Sequence, residues 1–261
     1  MNASRSTYTT QLQAGLGLVN ETKLLLSLYE KDLTANFLYE KSLQSGLFPL
    51  VSARRLRNIV IECFAPRYIK TKAANYLKPL ATCLPSSTMN QLFLIYTAGA
   101  NEILQDFIQE IYWDRYTGGR DSIQTDDAKE FVVHAVREGK TQKPWSDSTI
   151  KRMASYLMSC CADYGLLSSR RGAKRAIQPV RIQEFTVLYL AYKLHFEGLG
   201  DSAMINHKTW ALFGLDASDV REELKGLAKN GWIIVQSAGE VTRIGWQLKT
   251  MEDVIDVITQ S

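Results

Sequence analysis

The sequence is poor in residues that break or cross-link a chain: its 261 residues include only four cysteines, six prolines and sixteen glycines. So little proline and glycine excludes a collagen-like or low-complexity chain and leaves room for regular structure. Histidine is scarcer still. His134, His195 and His207 stand in separate segments with no second ligand at metal spacing, so structural or surface roles are expected. Cys63 and Cys83 stand alone, and adjacent Cys160 and Cys161 lack the two-residue spacer of a zinc clasp; plain buried thiols and no metal are expected. The longest apolar runs, "LFLIY" (Leu92 to Tyr96) and "VLYLAY" (Val187 to Tyr192), fall far below the ~20 residues of a membrane helix. The amino terminus shows no apolar signal-peptide run, and a cytoplasmic protein without membrane contact is expected. Enzyme motifs are missing too. No Gly-Lys-Ser or Gly-Lys-Thr phosphate loop, nucleophile elbow or nuclease-like acid pair occurs, and "GLGLVN" from Gly15 lacks the third glycine of a dinucleotide loop. The expectation is a protein that is not an enzyme and takes no cofactor.

What the chain has is apolar residues at 46%, ample for a full core, and charge sorted along its length. Lys and Arg outnumber Asp and Glu by 11 to 5 over residues 1–85 and by 10 to 3 over 133–181. Acids lead by 8 to 3 over 86–132 and by 11 to 7 over 182–261. Such sorting is expected when one surface attracts a polyanion.

Helical periodicity dominates the first half. "NETKLLLSLYEKD" reads as a helix capped by Asn20, "TANFLYEKSLQSG" as one ended by Gly46, and "SARRLRNIVIECFA" as one capped by Ser52 and stopped by Pro66. "TKAANYLKPLA" reads as a shorter helix interrupted near Pro79, and Pro85 to Ser87 as the first domain break. One or two helices with an acidic outer face (Glu102, Asp106, Glu110, Asp114) follow, then a helix capped by Thr125. Ser146 caps "SDSTIKRMASYLMSCCADYG", whose Ile150, Met153, Ala154, Leu157, Cys160 and Cys161 share one face; Ser148, Thr149, Lys151 and Arg152 then point outward.

After Gly165 the pattern turns extended: "LLSS", a basic turn "RRGAK", then "RAIQPVRI". Helix, turn, helix and hairpin is the layout of a winged helix. Arg170, Arg171, Lys174, Arg175 and Arg181 lie in a stretch without an acid, where a solvated loop would mix signs. These side chains are expected to hold phosphates, while Ser148, Thr149, Lys151 and Arg152 approach a groove with Lys143 beside them. Trp145, next to the turn, could touch a sugar or base; the other tryptophans read as core. Arg54, Arg55 and Arg57 at a helix start form a second candidate patch. With Arg67, Lys70 and Lys72 they could contact phosphates; Arg54 and Arg55 could instead pair with acids of 86–132.

"ADYGLL" (Ala162 to Leu167) also aligns with "AKNGWI" (Ala228 to Ile233) at an offset of 66. The second copy again lies between a helix and a hairpin pattern, but its helix exposes Asp219, Glu222 and Glu223, and its single wing arginine, Arg243, is opposed by Glu240. That module is expected to meet protein. The expected architecture is mainly α: a helical domain over 1–84, a winged-helix-like domain with a basic wing over 85–182, and a smaller winged-helix-like module over 183–261.

"YTTQLQAGLGLVNETKLLLSLY" followed by "FLYEKSLQSGLFPLVSARRLRNIVIECFAPRYI" resembles the opening of BrxA, an accessory-protein family of the bacterial BREX phage-resistance systems. The shared features are a threonine- and glycine-containing segment before the first helix, the pair Leu43 and Gln44, and a helix bearing Arg54 and Arg55. The resemblance implies a non-enzymatic, mostly helical protein that binds DNA and serves a multi-protein defence system. Together with the charge pattern, it leads to the expectation of a duplex-DNA-binding accessory protein with weak sequence preference, with other BREX components as further partners. A protein scaffold whose basic hairpin docks an acidic protein surface is the alternative. A role on RNA or in transcription shares the same charge logic.

Overall fold

The computed structural model describes residues 7–14, 16–169, 172–238 and 241–260. The chain divides into two compact units: residues 1–78 with 93–180, and residues 79–92 with 181–261. Helices dominate both, with two two-stranded antiparallel sheets. None of the described helices is long and apolar enough to cross a membrane.

In the first unit, α1 (Val19–Leu28) is preceded by Leu18 in the left-handed conformation at φ 50°, with no side-chain cap; Asn20 lies inside the helix. α2 (Ala35–Gln44) starts on Thr34, whose hydroxyl accepts from the Phe37 amide. α3 (Ala53–Asn58), capped by Ser52, runs on as an eleven-residue π-helix, Ile59–Ile69, with Pro66 inside it. Proline breaks an α-helix by removing an N–H and crowding the carbonyl four residues back. The wider π turn moves that carbonyl away, so Pro66 does not end the helix. α4 (Ala73–Cys83) likewise continues through Pro79. Residues 93–100 of α5 (Ser86–Ala100), with α6 (Glu102–Phe107), a π turn (Ile108–Tyr112) and α7 (Trp113–Thr117), complete the helical layer, while residues 79–92 at the end of α4 and the start of α5 count with the second unit. Its core packs Phe64, Tyr68 and Phe93 in tilted and edge-to-face contacts, with ring centroids 5.1 and 5.9 Å apart.

β1 (Ser122–Gln124), α8 (Thr125–Arg137), α9 (Asp147–Asp163) and β2 (Lys174–Ala176) follow in order. β1 pairs with β2 in antiparallel register, Ser122 opposite Ala176 and Gln124 opposite Lys174. Gln124, not Thr125, caps α8, in a capping box closed by the Asp127 carboxylate. Ser146 caps α9, accepting from the Thr149 amide at 3.3 Å. α9 buries Ile150, Met153, Ala154, Leu157, Met158, Cys160 and Cys161.

The second unit contains α10 (Glu184–Phe196), α11 (Asp201–Ile205), a 3-10 turn (Lys208–Phe213), α12 (Ala217–Lys229), the hairpin β3 (Ile233–Ala238) and β4 (Val241–Trp246), and α13 (Met251–Gln260). α10 is apolar on nearly every side and forms the core of this unit, packed by α11, α12 and α13. Trp210 is buried here; Trp113, Trp145, Trp232 and Trp246 are only half-buried, so most tryptophans are not core residues. Cys63, Cys160 and Cys161 are buried free thiols, whereas Cys83 is exposed.

The repeat at offset 66 is visible in backbone geometry. α9 and α12 both close on a left-handed glycine, Gly165 at φ 80° and Gly231 at φ 76°. The Leu166 amide returns to the Cys161 carbonyl at 2.8 Å and the Trp232 amide to the Leu227 carbonyl at 3.4 Å. This closure satisfies the last carbonyls of a helix, and it also ends α8 and α10. What α9 and α12 share beyond it is the extended strand that follows.

Candidate nucleic-acid interface

The structure gathers part of the basic set around α9. Ser148, Lys151 and Arg152 are exposed along its outer face and Thr149 is half-buried. Ser155, exposed, with Tyr156 and Ser159, half-buried, prolongs that row toward the carboxyl end. Sequence reasoning stopped at Arg152. The spacing 148, 152, 155, 159 could have carried it further, because residues three and four apart share a helix face. Lys143 is exposed and Trp145 half-buried in the turn between α8 and α9.

Beyond Gly165 the chain forms one edge of a hairpin. Leu167 bridges Ile177 in antiparallel sense, the Ser168 amide donates to the Ala176 carbonyl at 2.9 Å, and the Gln178 amide donates to the Leu166 carbonyl at 2.8 Å. β2 is therefore paired on both sides, by β1 and by Leu166–Ser168. The Thr125 amide adds a bond to the Ala173 carbonyl at 2.7 Å, fixing the start of α8 beside the hairpin. Arg170 and Arg171, expected at the hairpin tip, lie outside the described residues.

The remaining basic residues have different surroundings. Lys174 is 63% exposed and 3.7 Å from the Asp121 carboxylate, a loose surface pair that a competing anion can replace at little cost. Hydrogen bonding from Ser122, and then Lys174, holds that Asp121 carboxyl below its ordinary range. Arg175 is turned inward. Its Nη1 donates to the Met158 carbonyl at 3.2 Å and its Nη2 to the Ser159 hydroxyl at 3.3 Å, so it braces the hairpin against α9. Arg181 is exposed but belongs to the second unit, where its carbonyl accepts from Gln91 Nε2 at 2.8 Å. It is not part of the hairpin.

Arg54, Arg55 and Arg57 are exposed on α3, whereas Arg67, expected in the same patch, is buried. Arg55 lines an open cleft of about 430 Å³ with Leu16, Glu21 and Asp163, the last residue of α9. In the second unit the corresponding surface is acidic. Asp219 and Glu222 are exposed and Glu223 half-buried on α12, while Ile234 and Val241 are 52% and 64% exposed on the hairpin. Among the described residues no group of three or more His, Cys, Asp or Glu could hold a metal ion.

The sequence profile of the family described as BrxA matches residues 6–193, more than half of the chain. A comparison with curated proteins returns no match. Among solved structures, the crystal structure of an uncharacterized protein from Magnetospirillum magneticum is similar at 12% sequence identity and a TM-score of 0.60, covering 79% of this chain and 97% of that one. At that identity the likeness concerns the fold alone.

Proposed function

The chain belongs to the BrxA family and is thus a BREX-associated protein of antiviral defence, and from this premise we propose that it binds duplex DNA through α9 and the basic hairpin after it. The order α6–α7, β1, α8, α9 and hairpin, with β1 paired to the returning strand, supports reading this part as winged-helix-like. α9 would enter a groove, presenting Ser148, Lys151, Arg152 and Ser155. Lys174 and the arginines at 170 and 171 would hold phosphates. Arg175 acts one step removed, as the brace that keeps the hairpin against α9.

The observation that carries this reading is the exposed outer face of α9, which is polar and basic, next to a hairpin whose charge is almost wholly positive. Few of these side chains make the bidentate contacts that read bases, so binding with weak sequence preference is expected. The role is one of binding, not catalysis, and a cytoplasmic protein fits it. A Lys151→Ala, Arg152→Ala double variant with a wild-type far-ultraviolet spectrum should bind a generic duplex at least tenfold more weakly. Unchanged affinity would leave the scaffold reading in its place, and the acidic α12 with the exposed Ile234 and Val241 favours a protein contact for the second unit. α12 and its hairpin share the α9 topology without its charge, which fits a module turned toward protein.

A further inference from the structure

The segment before α1 brackets α9. At one end Tyr8 sits in the turn between α8 and α9: its amide donates to the Lys140 carbonyl at 2.7 Å, it bridges Thr141 in parallel sense, and its ring lies 6.5 Å from that of Phe131. Its hydroxyl donates to the Asp106 carboxylate across 98 residues of sequence. Lys140 places its amine 5.8 Å from the Tyr8 ring centroid. At the other end the Gly17 amide donates to Asp163 Oδ2 at 2.9 Å, and its carbonyl accepts from the Tyr164 hydroxyl at 3.1 Å. The buried Arg67 holds the Leu16 carbonyl at 3.0 Å. Between these ends Leu12 is fully buried and the short turn Gln11–Ala14 packs on α9.

The contacts at Tyr8 are more than apolar packing. Burial, together with the hydrogen bond to Asp106, pushes the phenol well above its ordinary range, so it remains a proton donor to the carboxylate. Both groups are half or more withdrawn from solvent, where a charge-assisted hydrogen bond is stronger than at an open surface.

We infer that residues 8–14, with 16 and 17, are a positioning strap for the DNA-contacting helix, with Tyr8 setting the α8–α9 turn and Gly17 fixing the far end of α9. This rests on the DNA-binding reading above. Tyr8 is remote from the exposed row of α9 and acts through the turn that carries Lys143 and leads to Ser148. Loss of its hydroxyl should let that turn drift while the helix itself persists.

The test uses the full chain with Tyr8→Phe, which keeps the ring and removes the bond, and with Asp106→Ala, which breaks the same bond from the other side if the first variant folds poorly. Asp106→Asn keeps an acceptor and serves as the conservative control. Amide exchange over residues 138–146 of the free protein should accelerate in Tyr8→Phe and Asp106→Ala and stay near wild type in Asp106→Asn. Duplex affinity, measured well below every melting temperature, should fall by between about two- and thirtyfold in the first two, the span expected for a residue acting through a packed neighbour. Unchanged affinity in a folded variant whose melting temperature drops would make the strap merely structural and overturn the inference. Unchanged exchange at 138–146 would do so as well. If wild-type protein binds no duplex, the DNA-binding reading is what fails, and the exchange measurement alone decides whether the strap sets the turn.

Discussion

Gly17→Ala should destabilise the first unit by an amount the geometry bounds. A Cβ on Gly17 would lie 2.5 Å from Asp163 Cβ, 3.0 Å from its Oδ2 and 3.2 Å from its Cγ. The first of these atoms sits next to the α9 backbone and cannot swing aside as a side-chain tip would. Relief requires residues 16–18 to lift away from α9, which stretches the Gly17 to Asp163 bond and the Tyr164 to Gly17 bond together. Overpacking of this kind costs about 1–3 kcal/mol, and weakening a hydrogen bond to a carboxylate adds roughly 1 kcal/mol or more. A total of about 2–4 kcal/mol corresponds, at about 2–4 °C per kcal/mol for a domain of this size, to a fall in melting temperature of roughly 4–16 °C. Gly99→Ala is the matched control. Gly99 lies within α5, where an added Cβ meets nothing within 4 Å, and alanine there should stabilise by up to about 1 kcal/mol. Thermal unfolding followed by circular dichroism reads both. If Gly17→Ala melts with or above wild type, the close approach to α9 is wrong and the strap loses its far anchor.

Three further outcomes are expected. Arg175→Ala should lower both stability, by about 1–2 kcal/mol for its two hydrogen bonds to α9, and DNA affinity. Lys174→Ala should leave stability within roughly 0.5 kcal/mol of wild type while reducing the salt slope of binding by about one phosphate contact; equal effects of the two in urea unfolding and anisotropy would refute the distinction. Asp163 keeps some exposed surface, but packing beside Gly17 desolvates its carboxylate enough to raise its pKa despite the hydrogen bond from the Gly17 amide. A carboxyl raised in the folded state favours folding below its unfolded pKa, and that contribution disappears as pH rises through the raised native value. Asp163→Asn retains an acceptor for Gly17 without the charge, so the change in its urea midpoint from acid to neutral pH should be more positive than the change in wild type; a less positive change would contradict this. Finally, Asp219→Asn with Glu222→Gln on α12 should not weaken DNA binding, and a tenfold loss in an anisotropy titration would place α12 in the DNA contact.

Local signals were legible in the sequence. The Ser52 and Ser146 caps, the buried face of α9 and the turn to extended chain after Gly165 follow from periodicity and side-chain chemistry, and all appear where residue spacing places them. What escaped was set by partners distant in sequence. β1 is three residues long, too short for an alternating pattern, and exists because β2 pairs with it from fifty residues away. Asp106 read as one of several acids on a solvated face, yet it receives Tyr8. Pro66 and Pro79 read as breaks because single-residue propensity does not anticipate a π turn or a helix held by its packing. Arg175 belonged to a run of like charge, and nothing in that run marks it as the one turned toward Met158 and Ser159.

A phosphate-holding surface formed by α9 and its hairpin would release counterions on binding DNA. Fluorescence anisotropy on a generic duplex of about 30 base pairs, across about 50 to 200 mM salt, counts those contacts, because each one contributes close to one unit of slope in log affinity against log salt. A slope of several contacts is expected in the wild-type chain, reduced by about two in Lys151→Ala with Arg152→Ala. No binding at the lowest salt, or a slope that ignores these two residues, would contradict a phosphate-holding surface there.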